Sequence, residues 1–407
     1  MKKITLPLLF LVLLAAACKK EGPVAVQEES ADVLETRMLE RAFHPLDYDY
    51  STVLPNYLRA TGLQPVSIDN AVAALGRVLF YDKSLSRDGS MACASCHDQK
   101  RAFADAKGFS LGASGQRIER QSLPLGNTAS FAAHYRSLNA HGAPSLFWDG
   151  RTTSADEVAR MAITSPREMN MTLSEVVERI RTKDYYRALW RKAFGHPEPK
   201  ESEMLQALSE FVRAIGSTRS PFDIAMEMNA GDPHSKASED TVRTIYCGRD
   251  TTIVVITPPA GFSVSEFRGL RLFGRHCSSC HSAIRPFQEV FEACNGLSME
   301  YKDQGKGKVT GNPKDNGVFK SVSLRNVART APYMHDGRFK TLGEVIDFYS
   351  TGIQPHPNLH PLLRNAAGGP RHFNFSPQDK RDLVDFLEML TDDQLITDAR
   401  FSSPFKQ

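Results

Sequence analysis

"MACASCH", residues 91 to 97, and "HCSSCH", residues 276 to 281, each place two cysteines three apart with a histidine directly behind the second. Four thiolates in two such pairs can close a tetrahedral zinc site, but structural zinc pairs usually lie tens of residues apart. Cys93 and Cys277 are separated by far more of the chain than that. Zinc also gives no reason for His97 to follow Cys96 and for His281 to follow Cys280. Haem c accounts for every position. Two thiols add to the two vinyl groups of a porphyrin, and the adjacent imidazole reaches the iron as the proximal ligand. The chain is therefore read as carrying two covalent haem c groups, one on Cys93, Cys96 and His97, the other on Cys277, Cys280 and His281.

The start of the chain points to a compartment where such attachment occurs. "MKKITLPLLFLVLLAAAC" has a basic beginning, an apolar run from Ile4 to Leu14, then small residues, the pattern of a secretory signal. The run is too short to stay in a bilayer as a spanning helix. Ending on Cys18 it reads as a lipoprotein signal over residues 1–18, with Cys18 lipidated; simple cleavage that leaves Cys18 free is the alternative, since Ala15 stands where leucine is usual. The expected location is periplasmic, lipid-anchored to the outer membrane. In an oxidising compartment the two cysteines outside these motifs, Cys247 and Cys294, are expected to pair as a disulfide. A net charge of +3 on 407 residues is too small to argue for a nucleic-acid partner, and that length suggests two domains rather than one core.

The elements around the motifs repeat. "DGRTTSADEV" at 149–158 and "DGRFKTLGEV" at 336–345 follow their cysteine motifs at nearly the same distance. Ser154 with Glu157 and Thr341 with Glu344 have capping-box spacing, so each copy is expected to open a helix. Thr172 with Glu175 and Ser376-Pro377 mark two more starts, and Leu205, Leu208, Phe211, Val212 and Ile215 share a helix face. Strand patterns are nearly absent apart from "TTIVVIT" at 251–257, within a Pro/Gly-rich stretch read as an inserted loop or hairpin. The resulting fold class is mainly α: two cytochrome-c-like haem domains related by internal duplication, with an irregular insertion between them. The expected boundaries are a polar tether at 19–45, an N-terminal haem domain at 46–230, the insertion at 231–261 and a C-terminal haem domain at 262–407.

From about Leu75 to Thr391 the chain resembles the bacterial di-haem cytochrome c peroxidase and MauG family. The likeness is carried by "LSRDGSMACASCH", "RAFAD", "FWDGR", "PREM", "SPFD", "FRGLRLFGRHCSSCH", "SLRNVARTAPYMHDGRF" and "LVDFLEML". The resemblance implies that hydrogen peroxide reacts at the N-terminal haem while the C-terminal haem handles electrons. It makes Glu168 the distal acid, which moves a proton between the peroxide oxygens, and Trp148 the residue between the haems. It also implies one calcium ion, bound by Asn127 and by backbone carbonyls at Thr330 and Pro332; neutral oxygens suit that hard cation.

Two departures set this chain apart. The distal histidine of conventional members is replaced by Ala113, with His134 and His141 farther along. Their methionine ligand to the second haem is replaced by Tyr349, as in the MauG branch. Thirteen residues past Asp149 lies Ala162, whereas the same step from Asp336 reaches Tyr349. Leu342, Val345, Ile346 and Tyr349 share one helix face, with Gly352 as the stop and Met334 as the rival ligand. The leading functional expectation is a peroxidase reducing hydrogen peroxide to water with electrons from a small cytochrome c or cupredoxin. The alternatives are a MauG-like enzyme that uses peroxide-derived oxidising equivalents on a partner protein, and a di-haem electron carrier. A pyridine haemochrome assay with metal analysis is expected to find two c-type haems per chain and no stoichiometric zinc.

Overall fold

Hydroxyl caps open several of the helices, including those whose spacing predicts a start. Thr172 with Glu175 and Thr341 with Glu344 form reciprocal capping boxes, and Ser154 accepts the Glu157 N–H. Ser220, Ser263 and Ser376 add boxes with Asp223, Glu266 and Asp379. Each box satisfies backbone donors that the first turn of a helix otherwise leaves bare. The computed structural model describes residues 30–60, 63–127, 145–230, 242–246, 252–281 and 292–406. Its longer helices are α1 (Ala31–Ala42), α2 (Asn70–Tyr81), α3 (Ala155–Thr164), α4 (Leu173–Arg181) and α5 (Asp184–Phe194). They continue with α6 (Glu201–Ala214), α7 (Pro221–Asn229), α8 (Val264–His276), α9 (Leu342–Asp347) and α10 (Pro377–Glu388). No described helix is long and apolar enough to cross a membrane.

Two helix crossings hold the helices that lead into the cysteine motifs. α2 meets α6 at Gly76, where a β-carbon would overlap the Ala207 carbonyl and come within 2.9 Å of Phe211 Cβ. α8 meets α10 at Gly269 in the same way, with Asp382 and Phe386 in the parts of Ala207 and Phe211. One core forms around α2 and α6, with Leu75, Val78, Leu79 and Phe211 fully buried. A second forms around α8 and α10, with Phe222, Phe267, Phe273 and Phe386 inside. The repeated Asp-Gly-Arg segments also fold alike. Gly150 and Gly337 both take positive φ, Leu146 bridges to Thr152 as Tyr333 does to Phe339, and Arg151 and Arg338 each fork their own aspartate.

Several segments differ from the sequence expectation. Residues 31–42, expected in the tether, form α1, because Leu39 and Ala42 find an apolar surface and Phe43 buries edge-on against Tyr185. The last residues leave the C-terminal half and return to the first core: Leu395 and Phe401 are buried there, and Arg77 and Tyr81 bond the Ser402 and Phe401 carbonyls. α7, assigned to the N-terminal domain, gives Phe222 and Ala225 to the second core. The two halves are thus interleaved by burial that no local pattern announces. In the insertion, β1 (Val242–Tyr246) and β2 (Thr252–Ile256) pair as an antiparallel hairpin, matching the strand read at "TTIVVIT".

A buried ion pair spans the interleaved segments. Arg325 forks Asp223 at 2.6 and 2.8 Å and reaches the Tyr57 hydroxyl at 3.1 Å, with both charged side chains at most 3% exposed. Burial alone would raise the Asp223 pKa, but the guanidinium overrides it and holds the carboxylate below its ordinary range. Gly269→Ala is expected to force α8 and α10 apart and lower stability by about 1–3 kcal/mol, the usual penalty of overpacking. Gly274→Ala on the same helix, where a β-carbon meets open space, is the control. Thermal denaturation of the two holoproteins checks the difference.

Candidate functional site

The first motif begins with a short 3-10 turn, Cys93–Ser95, and runs into His97. Ala102 and Phe103 both adopt left-handed backbone, with φ of 50° and 62°, and this turns the Phe103 carbonyl onto His97 Nδ1 at 2.9 Å. A carbonyl only accepts, so the ring proton sits on Nδ1 and Nε2 presents its lone pair. Burial pulls the His97 pKa down and favours that neutral form. A cavity of about 650 Å³ lies over the motif, lined by Cys93, Cys96 and His97 and, across it, by Gln116, Trp148, Arg151 and Glu168. Such a volume falls in the usual range for bound cofactors.

Glu168 is aimed by its own turn. Its N–H bonds Ser165 at 3.0 Å, and its carbonyl accepts the Ala113 N–H at 2.7 Å. Gly112 makes that approach possible, since any β-carbon there would overlap the Arg167 carbonyl. Ala113 therefore serves as a backbone clamp outside the cavity wall, while Gln116 of the same loop does line it. Burial pushes the Glu168 carboxyl up to about 7, opposed by Arg151 and by a Ser165 hydrogen bond. Ala162, the counterpart of Tyr349, lines this cavity as well.

The second motif caps the end of α8. His281 Nδ1 meets the Val322 carbonyl at 3.0 Å, the same device with a different partner. A narrower cavity of about 230 Å³ is lined by Cys277, Cys280 and His281, and by the expected face Leu342, Val345, Ile346 and Tyr349. Tyr349 stands on a π-helical turn, Phe348–Gly352, that continues α9; the sequence pattern did not announce this widening. Such turns recur at functional sites. Burial pushes the Tyr349 hydroxyl up to about 12, and a hydrogen bond from Asn295 works against it. Met334, the rival ligand, lines the same cavity.

The residues present thus fit haem c at both places: paired thiols beside an imidazole whose Nδ1 is held by a backbone carbonyl, under a largely apolar cavity. The two cysteine pairs line different cavities, so they do not meet in one zinc site. Among the described residues no cluster of three or more His, Cys, Asp or Glu is arranged to hold a metal ion.

Between the cavities lies Trp148, which lines both, together with Gln121, Leu123 and Pro124. Its indole N–H donates to the Gln121 carbonyl at 2.8 Å, and its own carbonyl accepts Lys320 N–H at 2.8 Å. The next residue, Asp149, is 1% exposed and held by Arg120 and Arg151, each at 2.6 Å. Arg120 also forks Asp303 at 2.6 and 2.7 Å, tying the tryptophan's segment to the second half. His335 stands edge-on to Trp148, with ring centroids 6.4 Å apart, and stacks on Phe319 at 3.9 Å. Arg120, Arg151, Gln116 and Asn295 went unremarked in the sequence. Arg151 alone had a signal there, through the repeated Asp-Gly-Arg.

The remaining expected sites are met unevenly. Thr330 and Pro332 line the second cavity, while the Asn127 side chain is engaged at both ends by backbone Ser217, at 2.7 and 2.9 Å. Cys294 is buried with its sulfur 3.4 Å from His356 Nδ1, and the cysteine it is expected to pair with lies outside the described residues. Cys247, Cys18, His134 and His141 lie outside the described residues.

A family model described as di-haem cytochrome c peroxidase matches residues 70–231. Methylamine utilization protein MauG of Methylorubrum extorquens is 33% identical over 321 residues, covering 78% of this chain and 77% of that one. Cytochrome-c peroxidase IdrP1 of Denitromonas iodatirespirans is 30% identical over 340 residues, covering 80% and 84%. Among solved structures, a MauG-like protein associated with microbial copper homeostasis aligns with a TM-score of 0.63 at 27% identity, covering 89% of this chain and 99% of its own. The di-haem peroxidase BthA of Burkholderia thailandensis shares the fold, with a TM-score of 0.58 at 22% identity over 84% and 91% of the two chains.

With its pKa at about 7, Glu168 is protonated in mild acid and becomes a proton acceptor as pH rises through neutrality. The rate of the first peroxide-dependent spectral change in the holoprotein is expected to rise across that range. Glu168→Gln should slow it by about 10²–10⁴-fold, the usual worth of general acid–base catalysis, and flatten that limb. Stopped-flow absorbance at several pH values checks both outcomes.

Proposed function

Because this chain belongs to the di-haem cytochrome c peroxidase and MauG family, we propose that it cleaves hydrogen peroxide in the first cavity and draws the required electrons from a partner protein through the second. The observation that carries this reading is Trp148, which lines both cavities and is clamped by hydrogen bonds at its indole and its backbone. When bound, haem supplies the iron chemistry that accepts peroxide oxygen and the redox capacity that no side chain here possesses. The chain's own residues do the rest. His97 presents Nε2 from one side, fixed by the Phe103 carbonyl. Glu168 takes the proton from one peroxide oxygen and returns it to the other, so that the departing oxygen leaves as water. The apolar wall strengthens that exchange by keeping solvent from competing for the proton.

The first iron is proposed to be open on its Glu168 side, since Ala113 lies off the cavity and Ala162 occupies the position equivalent to Tyr349. Tyr349 is proposed as the distal ligand of the second haem. A phenolate donates more charge than methionine and favours the oxidised iron. The electron source is read first as a small cytochrome c or cupredoxin. A second reading, oxidation of residues on a protein substrate in the MauG manner, is favoured by Tyr349 and by the missing distal histidine. The alike Asp-Gly-Arg segments and glycine crossings support descent by internal duplication. Calcium is kept in the proposal through Asn127, whose Oδ1 retains one lone pair beyond that used by Ser217, with Thr330 and Pro332. The signal segment and Cys18 support an exported, lipid-anchored protein.

Adding one equivalent of peroxide to the fully ferric holoprotein is expected to change its spectrum without prior reduction. Reduced cytochrome c or cupredoxin should then return it to the resting state with water as product. Recovery only with a protein substrate, accompanied by new oxidised residues on it, selects the second reading. A ferric protein that is wholly low-spin and inert to peroxide overturns the open first iron.

A further inference from the structure

The side-chain amide of Asn295 is held one way round. Its Oδ1 accepts the Leu297 N–H at 3.2 Å and the Tyr301 hydroxyl at 3.3 Å. The Leu297 N–H also bonds the Tyr301 oxygen at 2.7 Å, which leaves the phenolic proton of Tyr301 free to be given to Asn295. With donors gathered at the carbonyl end, the NH₂ end must turn toward the second cavity. There it faces the Tyr349 hydroxyl oxygen at 3.4 Å and Met334 Sδ at 3.9 Å.

The backbone on either side of Asn295 is fixed as well. The Cys294 carbonyl accepts His360 N–H at 3.0 Å, and the Gly296 carbonyl accepts Gln354 N–H at 2.8 Å. Both partners belong to the segment that follows Tyr349, so the amide and the phenol are built against one another. An amide N–H can only donate, and it donates best to an anion. At Tyr349 it therefore favours a phenolate oxygen, the form that binds iron. A thioether sulfur is a weak acceptor, and the same NH₂ group stands over it.

We propose that Asn295 is a positioning residue that selects Tyr349 over Met334 as the distal donor to the second haem. This rests on the reading that Tyr349 faces that iron. Partners behind a ligand set its orientation and basicity, and here the partner stands between two ligands of opposite redox character. Tyr301 and the Leu297 amide act one step farther back, by preventing the Asn295 side chain from reversing.

The test compares the holoproteins of wild type, Asn295→Asp, Tyr301→Phe and Asn295→Asp with Met334→Leu, by absorption, EPR and spectroelectrochemistry. Aspartate keeps the shape and the acceptor for Leu297 and Tyr301, but replaces the donor with an oxygen that repels a phenolate. Asn295→Asp is expected to lose the tyrosinate signature, gain the near-infrared band of His/Met ligation and raise the potential of the second haem. Adding Met334→Leu should abolish the new band. Tyr301→Phe, a milder change for folding, should shift the potential in the same direction by a smaller amount. Unchanged tyrosinate ligation and potential in both single variants overturn the role of Asn295. Loss of tyrosinate with no methionine band overturns the selection between the two donors. A wild-type protein without tyrosinate ligation overturns the ligand assignment itself, which separates that failure from the other two.

Discussion

A backbone carbonyl behind each motif histidine decides what the rest of the molecule can do. Phe103 and Val322 supply these carbonyls, from different local structures and to the same nitrogen. Each accepts the Nδ1 N–H and so leaves the ring's lone pair on Nε2. Without that bond an imidazole is free to spin, and a tethered porphyrin would have no fixed axial donor. The glycine crossings, the left-handed pair at Ala102 and Phe103, and the capped helices all serve to hold a ring and a carbonyl at about 3 Å.

The seam between the halves is an electrostatic construction. Arg120, Asp149, Arg151 and Asp303 share hydrogen bonds in a place where an unpaired charge would be costly, and the forked geometry compensates for lost hydration. This network does little for net stability that apolar packing could not do. It fixes register instead: Trp148 is directly attached to Asp149, so its ring cannot shift without disturbing the network. The same logic applies to Arg325 and Asp223, which join segments distant in sequence across the second core.

Chemistry that is written in adjacent residues was legible in the sequence. The cysteine motifs, the capping pairs and the face formed by Leu342, Val345, Ile346 and Tyr349 each depend on spacing within a turn or two, and the structure reproduces them. What was illegible depends on partners brought together by tertiary packing. Gln116 lines a cavity because Gly112 lets its loop touch Arg167, and nothing near Gln116 signals that contact. Asn295 matters through Tyr301 and Tyr349, one six residues away and one far beyond. Cys294 reads as a disulfide partner from composition, and nothing near it in the chain signals that its buried sulfur meets His356. The helix at 31–42 is polar enough to pass for a tether, because only Leu39, Ala42 and the following Phe43 carry its packing.

The returning C-terminal segment has a consequence for the order of assembly. Gln99, two residues past His97, bonds the carbonyls of Leu395 and Asp398, and Phe401 is buried in the first core. Until residues 395–401 dock, the first core lacks that wall and the turn after His97 lacks the anchor that Gln99 provides. Contacts between segments so far apart in the chain close slowly. The first core therefore cannot reach its final packing until the second half has brought this segment back across it.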